Sequence, residues 1–208
     1  MEYDAKKREI YSDKVINELD KFVINFIDIL EKYKIRYVIV SGYVSIILGR
    51  SRATEDVDLL IIPLEFSKFK ELFEYLLNQG YECANTSIPE EAFDMIKEHG
   101  IRFFNKGKPI PNIEFKIIKR DTDKYSFDNK ITLFLRRANR HFFISPLEMH
   151  IAFKLLLAAD GTDEELISDK DIEDARFVYK LFNEKINKDE LFYWINQFNV
   201  GRKFKWIK

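Results

Sequence analysis

Asp56 and Asp58 are separated only by Val57, at the start of the apolar run Leu59-Leu60-Ile61-Ile62. Side chains alternate along a strand, so the two carboxylates leave one face, roughly 6–7 Å apart at the backbone, while Glu55, Val57 and Leu59 leave the other. Paired hard-oxygen ligands at that spacing suit a divalent cation, and Mg²⁺ favours one or two carboxylates together with substrate phosphates. Acids at the mouth of a strand are also common in solvated turns. Here the apolar run behind them reads as a central strand, where two like charges on one face repel unless a cation neutralises them. A third acid, Glu114, stands between Ile113 and Phe115 in the apolar stretch 112–118. Such a carboxylate is either ion-paired, with Lys116 two residues on and on the same face, or it faces a metal.

Several elements must hold these acids in place. A strand over 36–40 stops at the small-residue turn Ser41-Gly42, and a short amphipathic piece then leads to Arg50-Ser51-Arg52-Ala53-Thr54-Glu55. Upstream, apolar residues from Val15 to Tyr33 recur at three- and four-residue steps, which predicts an amphipathic helix with Ser12 as its N-cap. Downstream, a helix over 65–78 ends at Gly80, a short strand lies near 81–84, and Pro89 opens another helix. Strands follow over 101–104 and 112–118, then a polar turn over 121–129 and a strand over 131–135. Ser145-Pro146-Leu147-Glu148 reads as N-cap, N1 and N3 of a helix running to about 159. Two more helices cover 169–182 and 188–198. The pattern predicts an α+β fold: a mixed sheet of about five strands with helices packed on one side, spanning 1–145, followed by a C-terminal helical region over 146–208.

The run from Ser41-Gly42 through a helix to Arg52-x-Thr54-x-Asp56-hydrophobic-Asp58 resembles the signature of the nucleotidyltransferase superfamily, with its DNA polymerase β-like fold. Within it, the small prokaryotic branch that includes the AbiEii-type proteins is the most similar. The resemblance spans about residues 12–182. It implies transfer of a nucleoside monophosphate from a nucleoside triphosphate, ATP among them, to a hydroxyl acceptor that is an RNA 3′ end, a protein or a small molecule. It also implies one or two Mg²⁺ ions, or Mn²⁺, held by Asp56 and Asp58, with Glu114 as the third acid. Ser41, Gly42 and Tyr43 then form the turn at the triphosphate, and Arg52 and Thr54 lead into the acids. Lys154, ahead of Lys170-Asp171-Ile172-Glu173-Asp174, is a phosphate contact, and Asp171 and Asp174 orient that lysine or Arg176. The chain departs from the family at Ser41-Gly42, where Gly-Gly or Gly-Ser is usual, and at Glu114, where the best-known members carry Asp. These departures leave a second reading open: a weakly active or inactive binding or regulatory protein of the same fold, such as one component of a toxin–antitoxin pair.

Composition sets outer bounds. The 208 residues carry a net charge of −1, which argues against a general nucleic-acid binder. The basic run Arg136-Arg137-Ala138-Asn139-Arg140-His141 is either a solvated loop or a local landing site for a triphosphate or RNA end. With Cys83 as the single cysteine, an intramolecular disulfide and a cysteine-rich zinc site are excluded. His99, His141 and His150 lack the spacing of a metal cluster. No apolar signal core and no stretch of membrane-spanning length is present, so the expectation is a cytoplasmic protein without a membrane partner.

Overall fold

The structure, a computed structural model, describes residues 1–208 apart from the side chains of Asp163 and Glu164. In chain order its strands are β1 (Glu2–Asp4), β2 (Glu9–Ser12), β3 (Tyr37–Val40), β4 (Asp56–Ile61), β5 (Tyr81–Cys83), β6 (Ile101–Asn105), β7 (Lys108–Ile117), β8 (Ile131–Leu135) and β9 (Arg140–Ile144). Its helices are α1 (Glu18–Lys32), α2 (Gly42–Ile47), α3 (Phe66–Asn78), α4 (Pro89–Glu98), α5 (Asp121–Asp128), α6 (Leu147–Leu157), α7 (Asp163–Ile167), α8 (Lys170–Phe182), α9 (Lys188–Gln197) and α10 (Gly201–Phe204). The fold is α+β with mixed strand pairing, as expected. The described residues form nine strands where about five were expected. Two compact units result. One combines Val15–Tyr43 with Ala53–Asp128, and the other combines Met1–Lys14, Val44–Arg52 and Asn129–Lys208.

The unit carrying the acids has strand order β3-β4-β7-β6-β5. β4 and β7 run parallel, and the remaining neighbours are antiparallel. Val57, Leu59 and Ile61 of β4, Ile113 and Phe115 of β7, and Ile101 and Phe103 of β6 alternate onto one buried face. α1 lays Phe26 on it, with ring centroids 5.8 Å from Phe103 and 6.0 Å from Phe115, and α3 adds Phe73 at 5.6 Å from Phe103. Each such ring contributes about 1.5–3 kcal/mol by leaving water. The alternation that sends these side chains inward sends Asp56, Asp58, Glu114 and Lys116 to the opposite face. Farther along that face Val38, Leu60 and Phe127 form a small buried cluster, with Phe127 supplied by α5. The segment expected to be a polar turn is therefore a helix, nucleated where Asp123 accepts the N–H groups of Lys119 and Arg120 at 3.3 and 3.1 Å.

α1 starts later than its apolar spacing suggests. Asn17, not Ser12, is the N-cap, in a capping box with Asp20 at N3. Ser12 is instead the last residue of β2. A four-residue strand with parallel partners in β8 uses the backbone groups that an earlier helix start would need, and Val15 is left exposed.

In the second unit the strand order is β1-β2-β8-β9. Its helices α6, α8 and α9 bury Ile151, Leu155, Ile172, Val178, Leu191 and Ile195. The expected Ser145 cap of α6 is not formed: Pro146 takes the cap position without a side-chain bond. Glu148 turns away to accept the N–H of Asn187 at 2.8 Å, at the start of α9. The basic run over 136–141 becomes one 3₁₀ turn and the opening of β9, with Arg136 paired to Glu2 at 2.7 Å and Asp13 at 3.1 Å. Among the described residues no helix is long and apolar enough to cross a membrane.

Candidate active site

Parallel pairing of β4 with β7 sets Asp56 opposite Asn112, Asp58 opposite Glu114 and Leu60 opposite Lys116. Asp58 and Glu114 thus face each other across one strand spacing, about 4.8 Å. Lys116 closes the gap: its Nζ lies 2.7 Å from Asp58 Oδ1 and 2.8 Å from Glu114 Oε2. The other oxygen of Glu114 accepts from Arg102 Nη2 at 3.1 Å, because antiparallel pairing of β6 sets Arg102 opposite Glu114. The side chains of Asp58 and Glu114 retain 13% and 16% of their exposure, so a small ion or a phosphate oxygen can reach them. Asp56 lies one alternation step farther toward the strand's start, half-buried, with Oδ1 3.3 Å from Thr54 Oγ1.

The pair titrates unequally. Burial raises the Asp58 carboxyl above its ordinary value, partly countered by Lys116 and reinforced by Glu114. Burial also pushes Glu114 upward, but its hydrogen bonds to Lys116 and Asp58, together with the charges of Lys116 and Arg102, hold it below the ordinary carboxylate value. Lys116 is held above its ordinary value, since its two carboxylates outweigh the burial that opposes its charge.

The turn before these acids is built on strain. Val40 is the register partner of Asp58, and Ser41 follows it with φ of +62°, a left-handed conformation that costs a non-glycine residue roughly 1–2 kcal/mol. Gly42 then opens α2. Tyr43, grouped with this turn in the sequence reading, points inward: it is fully buried and its hydroxyl donates to Asp20 Oδ1 at 2.8 Å. Burial first, then the charge of Asp20, raises its phenol well above the ordinary value. Thr54 Oγ1 donates to the Asp56 carbonyl at 2.9 Å, and Asn112 holds the Glu55 carbonyl through its backbone N–H at 2.8 Å and Nδ2 at 3.0 Å. These bonds fix the entrance to β4.

Arg52 and Lys154 belong to the other unit, where both converge on Asp174. Lys154 is buried, with Nζ 2.6 Å from Asp171 Oδ1 and 3.0 Å from Asp174 Oδ2. Arg52 Nε lies 3.2 Å from Asp174 Oδ1, and Arg50 pairs with both Asp174 and Glu173. Asp171 and Asp174 therefore hold Lys154, as their spacing on one helix face suggests. Arg176 bonds the Trp206 carbonyl at 2.8 Å instead.

Arg102 and Gly100 had no marker in the sequence. Only the antiparallel register brings Arg102 to Glu114, and only the folded chain shows Gly100 lying under the stems of Glu114 and Lys116. A Cβ there would meet Lys116 Cγ at 3.0 Å and Glu114 Cγ at 3.1 Å. Among the described residues no group of three His, Cys, Asp or Glu side chains is set to hold a metal ion. The donor chemistry nevertheless suits one. Asp56, Asp58 and Glu114 present hard oxygens from one face, and two of them already share a cation, the Lys116 ammonium.

No protein-family model matches the sequence, and no curated protein matches it. Solved structures do share the fold. An antigenic nucleotidyltransferase-like protein from Paracoccidioides brasiliensis superposes with a TM-score of 0.52 at 17% identity, covering 91% of this chain and 94% of that one. The antibiotic-resistance factor ANT(2'')-Ia in solution gives 0.52 at 12% identity, over 89% and 93%. The crystal structure of ANT(2'')-Ia in complex with adenylyl-2''-tobramycin gives 0.54 at 13% identity, over 86% and 95%. At these identities the likeness is one of fold.

Proposed function

We propose that the protein is a divalent-metal-dependent nucleotidyltransferase that moves a nucleoside monophosphate from a nucleoside triphosphate to a hydroxyl acceptor and releases pyrophosphate. The observation that carries this is the register pairing of Asp58 with Glu114, on the same sheet face as Asp56 and one residue from the Ser41-Gly42 turn. Asp56, Asp58 and Glu114 would hold one or two Mg²⁺ ions. When bound, such ions polarise the α-phosphate and neutralise charge on the attacking and leaving oxygens. The chain's own part is positional and acid–base. The acceptor oxygen forms a bond to the α-phosphorus, the α–β phosphoanhydride breaks, and the acceptor's hydroxyl proton passes to the carboxylate pair. Ser41 and Gly42 border the triphosphate, with Thr54 holding the entrance to Asp56. We read Tyr43, Arg52 and Lys154 as supports of the framework.

A small-molecule hydroxyl heads the candidate acceptors, ahead of an RNA end or a protein. A neighbour of the same fold is held with adenylyl-2''-tobramycin, and the net charge of −1 suits a polynucleotide poorly. A nucleotide-binding protein without turnover is the second reading, favoured by the lysine that spans the acid pair.

Incubation with each α-labelled triphosphate, Mg²⁺ or Mn²⁺, and in turn an aminoglycoside panel, total RNA and lysate protein tests the proposal. Label is expected in one acceptor fraction from wild type and in none from Asp56→Asn or Asp58→Asn. Absence of any metal-dependent triphosphate binding by calorimetry would sink it, and binding without transfer would leave the second reading standing.

A further inference from the structure

Lys116 is held by more than charge. Its ammonium contacts one oxygen each of Asp58 and Glu114, and its stem runs over the Gly100 backbone, where a Cβ would stand 3.0 Å from Cγ and 3.2 Å from Cε. It is also not locked in: its side chain keeps 35% of its exposure. The same lysine borders an open cleft of about 260 Å³ with Glu98, His99, Lys119, Arg120 and Asp123, so the ammonium has polar, solvated space to enter.

Resting on the proposal that these acids are metal ligands, we infer that Lys116 is an internal counter-ion which a divalent cation must displace. An ammonium within hydrogen-bond distance of both carboxylates and a divalent ion on the same oxygens would lie only a few ångströms apart, where like charges repel strongly in a partly buried site. Metal and lysine therefore compete for Asp58 and Glu114. The metal-free protein keeps its acid pair neutralised and binds metal weakly. A triphosphate changes the balance, because its oxygens give the released ammonium a new partner and add ligands to the metal. The lysine thus couples metal binding to nucleotide binding, and the glycine beneath it provides room for the exchange.

Mn²⁺ titrations of wild type, Lys116→Met and the cleft-rim control Lys119→Met test this, each without nucleotide and with a non-hydrolysable triphosphate. Without nucleotide, Lys116→Met is expected to bind Mn²⁺ at least about tenfold more tightly than wild type, a size typical of coupling between sites. Lys119→Met should match wild type, and the strengthening by triphosphate should shrink in Lys116→Met. Should that variant fail to fold, the wild-type lysine ammonium resonances carry the test: one, slowed in exchange by its two carboxylates, should shift when Mg²⁺ is added. Mn²⁺ binding in folded Lys116→Met no tighter than in wild type, or ammonium signals unmoved by saturating Mg²⁺, would overturn the inference. Failure here with labelled transfer intact removes only the displacement step, whereas loss of all metal-dependent triphosphate binding removes the parent proposal.

Discussion

Asp58 and Glu114 are register partners across the parallel pair β4 and β7, and one lysine ammonium bridges them. Two acids brought together by backbone hydrogen bonding, rather than by a mobile loop, form a site whose geometry is set by the sheet. Asp58→Asn keeps the shape and removes the charge. In this variant, metal-dependent triphosphate binding should be lost and any transfer should fall by at least about 10²-fold, the scale set by several kcal/mol of lost charge stabilisation. Circular dichroism should show an intact fold, and a steady-state transfer assay reads the loss.

Tyr43 offers a separation of roles. Its hydroxyl bonds buried Asp20, which also accepts the Asn17 N–H at 3.0 Å in the α1 capping box. Tyr43→Phe should lower stability by about 1–3 kcal/mol, the cost of depriving a buried acceptor of a donor. Triphosphate affinity should be unchanged. A urea melt and a nucleotide titration on the same preparation check both halves.

Asp174 is fully buried and gathers Arg50, Arg52 and Lys154. Asp174→Asn leaves those cations short of a counter-charge, and breaking one side of a buried ion pair costs about 3–5 kcal/mol. Thermal unfolding should shift down sharply, while replacement of exposed Glu18, whose ion pair with Lys21 lies on the helix surface, should change stability by less than about 1 kcal/mol.

His150 sets a pH window. It is buried against Ser45, with Nε2 2.9 Å from Ser45 Oγ, and burial first, then Lys154 and Arg52, lower its pKa from 6.5 to about 3 against the pull of Asp174. Above about pH 6.5 both folded and unfolded chains carry it neutral and its contribution to stability is complete. As pH falls toward about 3 the unfolded chain takes up a proton that the folded chain refuses, so stability drops. Denaturation midpoints at pH 7 and pH 5 should differ in wild type, and His150→Gln should narrow the difference.

Some of this was written in local pattern. Alternation alone puts Asp56 with Asp58 and Glu114 with Lys116, and apolar spacing alone marks α1, α3, α8 and α9. Other features were invisible locally. The N-terminal strands β1 and β2 are short and polar at their ends; β1 pairs with its neighbour β2, and β2 is held in the sheet by β8, far along the chain, with Glu9 opposite Thr132. α5 looked like a turn because its composition is polar, and it is the packing of Phe127 against Val38 and Leu60 that ties it to the sheet.

What the chain's order of residues determined unaided is which side chains share a face, because the two-residue period of a strand is a property of the backbone. It could not say which faces meet. Whether Glu114 stands opposite Asp58 or two residues away depends on the register of β7 against β4, and Arg102 reaches the pair only through β6. Those registers are settled by the packing of Phe26, Phe73, Phe103 and Phe115 on the far side of the sheet, where a slip of one residue would turn apolar side chains out to water.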